Sequence, residues 1–286
     1  IIEEDCYYFD KTNYIEELLK DRTEIKLFTR PRRFGKTLNM TTLKYFFDVR
    51  NAEENRKLFK DLYIKKSEYF KEQGQYPTIF ITLKDTKKNN WEECYSKIKI
   101  ILRDLYEEHS YIKDKLSINE KEEYDKILFK KDDAEYDNAL LNLTKYLYNY
   151  YQKKVVLLID EYDSPLITAN QFGYYKEAIN FFRDFLSSAL KTNSNLKMGV
   201  LTGIVQVAKE GIFSGLNNVK TYNILGDKFE IFFGLSEEEV EEALKYFEMT
   251  YEIEEVKKWY DGYKFGNSEV YNPWSIINYL RTKELQ

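Results

Sequence analysis

The chain has 286 residues, with 43% hydrophobic side chains and a formal net charge of −5 from 44 basic and 49 acidic residues. This length and composition can bury the core of one large domain or two ordinary ones. The charge balance excludes a molecule that captures nucleic acid through an overall positive field. Two cysteines and one histidine are too few for a Cys/His zinc site or a disulfide framework.

No stretch approaches the roughly 20 apolar residues that span a membrane, and no export signal opens the chain. We therefore expect a cytoplasmic protein without membrane association. Because the chain begins with Ile1 rather than Met, we also expect it to be a piece of a longer protein.

The segment 7–21 predicts an extended entry followed by a helix, which Asp10 or Thr12 can cap. In nucleotide-binding α/β domains the stretch before the first strand often lies near the base. Tyr8 and Phe9 are therefore candidates to flank adenine. Ordinary core packing is the alternative for each ring.

The stretch 25–37 reads IKLFTRPRRFGKT, in which an apolar run and a polar turn precede Gly-Lys-Thr at the start of a helical pattern. This is the layout of a phosphate-binding loop, whose backbone N–H groups and helix N-terminus cradle a polyphosphate. Lys36 would then reach the β- and γ-phosphates, and Thr37 would hold Mg²⁺. Arg30 replaces the first glycine of the usual pattern, which reduces the freedom to adopt positive φ there. The alternative is a basic strand-to-helix turn that binds nothing.

The middle of the chain predicts further parts of a sheet and its covering helices. The charged region 50–75 predicts helical pieces and loops on the surface, and the apolar run 77–83 is typical of a buried strand. Amphipathic helices follow from Trp91 and around Leu143, separated by a polar span that extends to about Tyr136. We expect these helices to cover the faces of the sheet.

A second motif is the fully apolar run 155–159, which ends in Asp160 and Glu161. Such a run is typical of a central parallel strand that delivers acidic groups to the carboxyl edge of a sheet. Asp160 would bind Mg²⁺. Glu161 would orient and deprotonate the attacking water, because displacement at a γ-phosphate needs a base opposite the leaving group. The alternative is a strand that ends in solvated acids, but the loop upstream favours the catalytic interpretation.

The region after these acids predicts a helix over 178–189 and a further strand over 196–203. In ATPases of this build, that strand ends in a polar side chain that contacts the γ-phosphate or the water. Thr202 is the candidate, and a strand-terminal threonine chosen for β propensity is the alternative. The turn-rich run 213–218 would lie over the site, and 219–225 predicts a fifth strand.

The C-terminal part of the chain is helical and acidic. Ser236 and Glu239 form a capping-box pattern at the start of a helix. Aromatic residues around turns follow at 259–263 and 271–274, and we interpret them first as the packing of a small lid domain.

Several motifs, in order along the chain, resemble the AAA-ATPase-like proteins of bacteria and anaerobic fungi. The matching runs are YFDKT (8–12), RPRRFGKT (30–37), LIDEYDSP (158–165), TGI (202–204) with FSGLNN (213–218), and WYDGY (259–263) with YNPW (271–274). In this family the Arg-Pro-Arg-Arg-Phe-Gly-Lys form of the loop is the usual one. The motifs span almost the whole chain, so the resemblance is specific.

The resemblance implies an α/β fold, a P-loop NTPase of the AAA-like (ASCE) division. It implies a central parallel sheet flanked by helices, with the acidic pair on a strand beside the loop strand, and a small C-terminal helical lid. We expect the ATPase domain at 1–228 and the lid at 229–286. Full-length members commonly carry a PD-(D/E)xK nuclease-like domain after the lid, which the ATPase would serve, and we find no such motif in this sequence.

The resulting hypothesis is an ATPase that uses Mg²⁺ and couples nucleotide state to movement of the lid or a partner. Its candidate catalytic residues are Glu161, Lys36 and Thr202, and its candidate metal ligands are Thr37 and Asp160. The candidate nucleotide-binding residues are Arg32, Arg33, Phe34, Gly35, Lys36, Thr37, Leu38, Tyr8 and Phe9. No arginine finger can be assigned from the sequence, and because such a finger often comes from a neighbouring subunit, a homo-oligomer is a candidate assembly.

Two other hypotheses remain open. A nucleotide-dependent switch would hold ATP or ADP with little turnover and present a surface to DNA or a protein partner. Retention of Glu161 argues against it, because a switch that never hydrolyses does not need that carboxylate. A degenerate scaffold without nucleotide is disfavoured by the intact Lys36, Thr37 and Asp160.

Overall fold

The computed structural model describes residues 6–207, 212, 218–249, 253–260 and 262–282. Its strands are β1 (Ile25–Thr29), β2 (Thr78–Thr82), β3 (Val155–Asp160), β4 (Leu196–Gly203), β5 (Val219–Tyr222), β6 (Tyr263–Phe265) and β7 (Ser268–Val270). Of the turn-rich run 213–218, only residue 218 lies inside the described residues.

The helices connect and cover these strands. They are α1 (Asn13–Lys20), α2 (Lys36–Phe47), α3 (Ala52–Lys57), α4 (Trp91–Glu108), α5 (Ile118–Leu128), α6 (Ala139–Tyr151), α7 (Ser164–Phe172), α8 (Tyr175–Leu190), α9 (Glu237–Tyr246), α10 (Ile253–Trp259) and α11 (Pro273–Thr282). None of these helices, over the part of the chain described, combines the length and apolar composition needed to cross a lipid bilayer.

Strands β1 to β5 form one parallel sheet in the order β2-β3-β4-β1-β5. The expected parallel sheet flanked by helices is therefore confirmed. The expectation that the acidic strand lies beside the loop strand is wrong, because β4 pairs with both β1 and β3 and separates them. The long helical crossovers between parallel strands allow a later strand to insert between earlier ones, so order along the chain does not set order in the sheet.

The two faces of the sheet carry separate hydrophobic cores because side chains alternate along each strand. In β3, Val155, Leu157 and Ile159 pack in one core, and Val156 and Leu158 pack in the other. The first core takes in the buried sides of α4 to α8, and the second takes in those of α1 and α2. Every residue of β3 is buried, as the continuous apolar run indicates.

Two regions that look polar in the sequence contribute more structure than we expected. The region 50–75 supplies Phe59, Ile64 and Phe70 to the second core. The polar span before Tyr136 contains α5, which begins at a capping box formed by Ser117 and Glu120. Both regions are therefore part of the packed domain.

The C-terminal part adds a small core of its own, which includes Val240 and Tyr271. Helix α9 begins at the predicted capping box, where Ser236 and Glu239 exchange both hydrogen bonds. Strands β6 and β7 form an antiparallel hairpin in this part. Three rings that precede α9 pack instead in the second core of the main sheet: Phe229, Phe232 and Phe233.

Candidate functional site

The loop between β1 and α2 contains two residues with a left-handed backbone. Its main chain is left-handed at Arg33 (φ 69°) and at Gly35 (φ 75°), which is the N-cap of α2. Glycine adopts this conformation without the penalty that a Cβ brings. Arg30 is not among the residues with positive φ. The missing first glycine therefore leaves no strain at Arg30.

Lys36 lies buried at the first residue of α2, with its ammonium group folded over the loop. Its Nζ donates hydrogen bonds to the carbonyl oxygens of Arg30 at 3.0 Å and Pro31 at 2.6 Å. Burial lowers the pKa of Lys36, and the negative charges of Asp160 and Asp163 oppose that shift. The ammonium group thus has two neutral acceptors, which an anionic ligand can replace.

Thr37, Asp160 and Thr202 converge at the carboxyl edge of the sheet. The Thr37 hydroxyl donates to Asp160 Oδ2 at 2.7 Å, and the Thr202 hydroxyl donates to Asp160 Oδ1. Asp160 and Thr202 are almost completely buried, whereas Thr37 is exposed at the start of α2. Because β4 lies between the other two strands, Thr202 can reach the carboxylate of β3 from the next strand. The structure therefore brings together three of the predicted site residues.

This group of oxygens fits a magnesium ion held jointly with phosphates. Mg²⁺ is commonly bound by one or two carboxylates, with substrate phosphates and water completing the octahedron. Asp160 and the hydroxyl of Thr37 supply oxygens of that kind. Within the described residues, no group of three or more His, Cys, Asp or Glu side chains forms a metal cage. Asp160 and Thr37 are therefore the residues that could hold such an ion.

Glu161 follows Asp160 and has a left-handed backbone (φ 53°). Its Oε2 accepts a hydrogen bond from the Ser164 hydroxyl at 2.7 Å and lies 3.3 Å from Lys87 Nζ. Burial raises the pKa of Glu161, but the Ser164 hydrogen bond and the Lys87 charge outweigh burial and lower it. Glu161 lines the same cleft as Lys36.

Asp163 is a buried acid beside this site to which we assigned no role from the sequence. Its Oδ2 accepts hydrogen bonds at 2.8 Å from the main-chain N–H groups of Ile204 and Val205, which follow β4. Its Oδ1 has no hydrogen-bond partner among the described residues, and burial raises the pKa of Asp163. A Cβ at Gly203 would lie 2.8 Å from that oxygen, so only glycine fits there. The sequence run Asp-Glu-Tyr-Asp at 160–163 could have indicated that Asp163 lies near the site.

A cleft of about 670 Å³ opens above these groups. The loop side contributes Arg32, Arg33, Gly35, Lys36, Thr37 and Leu38, and the opposite side contributes Lys87, Glu161 and Ile204. Helix α11 closes one end with Pro273, Trp274 and Ile277. The guanidinium of Arg33 stacks 3.9 Å from the centre of the Trp274 ring. The cleft therefore has basic and acidic walls and one apolar end.

An apolar cleft of about 110 Å³ lies next to it and shares Gly35, Leu38, Pro273 and Ile277 with the larger one. Tyr8 and Phe9 line this smaller cleft. Flat, apolar walls of this kind suit a nucleobase. The structure thus places both predicted rings beside the loop, although Phe9 also packs against the C-terminal core.

Phe34 ties the loop to the C-terminal hairpin, and Arg30 ties it to β5 and the segment that follows. The Phe34 side chain is buried against Phe265 and Val270 of the β6–β7 hairpin, so only its main chain can face a ligand. The Arg30 guanidinium donates to the carbonyl oxygens of Tyr222 at 2.7 Å and Phe229 at 3.1 Å. Burial lowers the pKa of Arg30 to about 10. Arg30 is thus a structural cation rather than a ligand for an anion.

Comparisons with known proteins agree with this architecture. An uncharacterized protein encoded in the vnfD 5′ region of Azotobacter chroococcum mcd 1 is 24% identical over 289 residues, which cover 99% of this chain and 50% of that protein. The chain thus spans about half the length of this relative. No solved structure matches the chain. The family model described as "Predicted AAA-ATPase" matches residues 1–213, and the chain therefore belongs to the AAA-ATPase-like family.

Proposed function

We propose that this chain binds Mg·ATP in the large cleft and hydrolyses it. The convergence of Thr37 and Thr202 on the buried carboxylate of Asp160, beside Lys36, is the observation that carries the proposal. A magnesium–nucleotide complex needs oxygen ligands for the metal ion beside a cationic site for the phosphates. Few other ligands require both features together. Family membership supports the same activity.

The residues divide the work in this proposal. The main chain from Arg32 to Thr37 and the N-terminus of α2 hold the phosphates, and Lys36 exchanges its two loop carbonyls for phosphate oxygens. Asp160 and Thr37 hold Mg²⁺, which would supply charge neutralisation at the β- and γ-phosphates. The adenine occupies the apolar cleft beside Tyr8, Phe9 and Leu38.

The chemical step is an in-line displacement at the γ-phosphorus. A water oxygen forms the new P–O bond while the bond to the β-phosphate oxygen breaks, and that oxygen leaves with the electron pair on ADP. Glu161 accepts the proton of the water. The Ser164 hydroxyl fixes the orientation of the Glu161 carboxylate.

The loop contacts support coupling between nucleotide state and the C-terminal part. Phe34 is held in the hairpin and Arg33 stacks on Trp274 of α11, so movement of the loop on binding is passed to both elements. This coupling would drive or time movement of a lid, of a partner protein, or of a nuclease-like domain carried outside this chain.

Two matched variants test the ATPase. Lys36→Ala should lose nucleotide binding, whereas Lys44→Ala, on the same helix but away from the cleft, should keep it. Glu161→Gln should keep Mg·ATP binding and lose turnover by about 10² to 10⁴. Bound nucleotide and released phosphate are measured in parallel, with and without DNA. Unchanged affinity in Lys36→Ala, or equal loss of binding and turnover in Glu161→Gln, would contradict these roles.

A low-turnover switch is the second candidate, and one contact favours it. Lys87 Nζ lies 3.3 Å from Glu161 Oε2, so the carboxylate is paired with a cation and is not free to accept a proton from water. A wild-type chain that binds ATP and ADP tightly but releases no phosphate would support the switch. Stimulation by DNA or by self-association would instead indicate an ATPase that needs a partner.

A further inference from the structure

Lys87 stands on the wall of the cleft opposite the phosphate loop. It follows β2 and the short 3₁₀ turn Lys84–Thr86, and β2 pairs with β3 so that Thr82 lies beside Asp160. The Leu83 N–H donates to the Asp160 carbonyl at 3.0 Å, which carries this pairing one residue further. The fold therefore delivers Lys87 to the edge that also carries Asp160 and Glu161.

The turn that precedes Lys87 is held by a buried hydrogen bond, whereas the Lys87 side chain is largely exposed. The buried Thr86 hydroxyl donates to the Leu83 carbonyl at 2.6 Å and closes the turn. The Lys87 side chain is 48% exposed, and its contact with Glu161 at 3.3 Å is the ion pair it makes among the described residues. Exposed ion pairs of this kind contribute little to stability, because water screens the two charges. Lys87 can therefore leave Glu161 for a stronger anion at little cost.

The other cations that line the cleft, Arg32, Arg33 and Lys36, all lie on the loop side. Lys36 lies over the loop carbonyls, and Arg33 stacks on Trp274. A triphosphate held by the loop would extend its terminal phosphate towards the opposite wall, where Glu161 would otherwise repel it. The terminal phosphate carries more negative charge than one carboxylate, so it competes successfully for the Lys87 ammonium group.

We propose that Lys87 is a second cationic ligand of the terminal phosphate, on the wall opposite Lys36, and that Glu161 is its partner when that phosphate is absent. Binding of a triphosphate transfers the ammonium group from Glu161 to the γ-phosphate. The carboxylate, still oriented by Ser164, then becomes free to accept a proton from water. A bound diphosphate leaves the Lys87–Glu161 ion pair closed. The chain thus carries its own discrimination between ATP and ADP, an inference that rests on the proposed ATPase site.

The experiment compares two affinities in each variant. Dissociation constants for Mg·ADP and for the non-hydrolysable analogue Mg·AMP-PNP are measured by calorimetry on the wild type, Lys87→Ala, Lys87→Arg and Lys84→Ala. Lys87→Ala should weaken AMP-PNP about tenfold and change ADP less than twofold, because only the triphosphate reaches Lys87. Lys87→Arg should restore most of the AMP-PNP affinity. Lys84→Ala, an exposed lysine of the same turn, should match the wild type.

A second comparison tests the exchange with Glu161. In a Glu161→Gln background the competing carboxylate is absent, so AMP-PNP should bind more tightly while ADP changes little. Adding Lys87→Ala to that background should remove the gain. Equal effects on ADP and AMP-PNP, or no effect on either, would overturn the role of Lys87 while leaving the ATPase intact. A wild-type chain that binds neither nucleotide would instead overturn the proposed function and this inference with it.

Discussion

The two ends of helix α2 carry charged clusters that differ in how their charges are paired. At the amino end, Lys36 donates to backbone carbonyls and Thr37 donates to Asp160, and the cleft above them is open. At the carboxyl end, Arg50 pairs with Asp48 at 2.7 Å and with Glu108 at 2.8 Å. The polar groups at the amino end are therefore available to a ligand, whereas the charges at the carboxyl end are paired with one another.

The carboxyl-end cluster also encloses a neutral histidine. His109 is almost completely buried, its Nδ1 lies 3.2 Å from the Tyr111 hydroxyl, and its Nε2 has no hydrogen-bond partner among the described residues. Burial, aided by the positive charges of Arg50 and Lys44 and opposed by Glu108, lowers the pKa of His109 to about 3. We infer that this cluster stabilises the fold and that the amino end performs the chemistry.

Removing Arg50 should produce the largest change in stability. Arg50→Met leaves the buried carboxylate of Asp48 without its cation, and an uncompensated charge in such a place is costly. We expect the free energy of unfolding to fall by about 2 to 3 kcal/mol. Urea denaturation measures the change, and the affinity for Mg·ADP should stay within about twofold of the wild type.

A double variant distinguishes the loss of the Arg50–Asp48 ion pair from the cost of leaving the Asp48 charge without a partner. Asp48→Asn removes the charge and keeps an oxygen for the N–H of Arg50. The double variant Asp48→Asn/Arg50→Met should therefore regain part of the stability that Arg50→Met loses. A single variant as stable as the wild type, or a parallel loss of nucleotide binding, would break the contrast between the two ends.

His109 should make stability depend on pH. Its folded pKa of about 3 lies below the unfolded value of about 6.5, so between these limits the unfolded chain binds more protons. The stability from the neutral ring is fully present above pH 6.5 and is lost as the pH falls towards 3. Between pH 7.5 and 5.0 this loss is about 2 kcal/mol.

The measurement is the free energy of unfolding of the wild type and of His109→Gln at both pH values. Carboxylates titrate in both proteins, so the difference between the two proteins isolates the histidine. The wild type should lose about 2 kcal/mol more than the variant on acidification. A difference that does not change with pH would show that His109 is not buried in its neutral form.

The sequence predicts those features that are encoded by neighbouring residues. The five strands of the main sheet, the phosphate loop and the acidic pair are contiguous motifs and were predicted from the sequence, whereas the short strands β6 and β7 were not. Helix α5 was missed because its exposed side carries so many charges that the apolar positions, such as Tyr124 and Ile127, do not stand out. Local patterns therefore predicted where the elements lie along the chain more reliably than they predicted the order of the strands in the sheet.

The contacts that we missed join distant parts of the chain. Lys87 meets Glu161 across 74 residues, and Arg30 binds the Phe229 carbonyl across 199. Neither contact leaves a spacing pattern, because the fold brings together segments that follow different strands. The position of Thr202 beneath Asp160 likewise depends on β4 lying between β1 and β3.

The smallest change that we predict distinguishes two roles for Thr202. Thr202→Val keeps the shape of the side chain and removes the hydroxyl that donates to Asp160. A hydrogen bond to a charged group contributes about 1.5 to 3 kcal/mol, and nearby groups recover part of it. If Thr202 positions the metal ligand, the Mg²⁺ concentration that supports half-maximal binding should rise about tenfold, for ADP and AMP-PNP alike.

If Thr202 instead contacts the γ-phosphate, as the sequence suggested, Thr202→Val should weaken AMP-PNP and leave ADP unchanged. The buried position of Thr202 and its bond to Asp160 favour the first outcome. Thr202→Ser keeps the hydroxyl and should behave like the wild type in either case. Because Lys87→Ala is expected to affect AMP-PNP alone, the two variants together assign Thr202 to the metal and Lys87 to the terminal phosphate. Substitutions at the amino end of α2 would then change the Mg²⁺ dependence and the AMP-PNP affinity, whereas substitutions at the carboxyl end would change the free energy of unfolding.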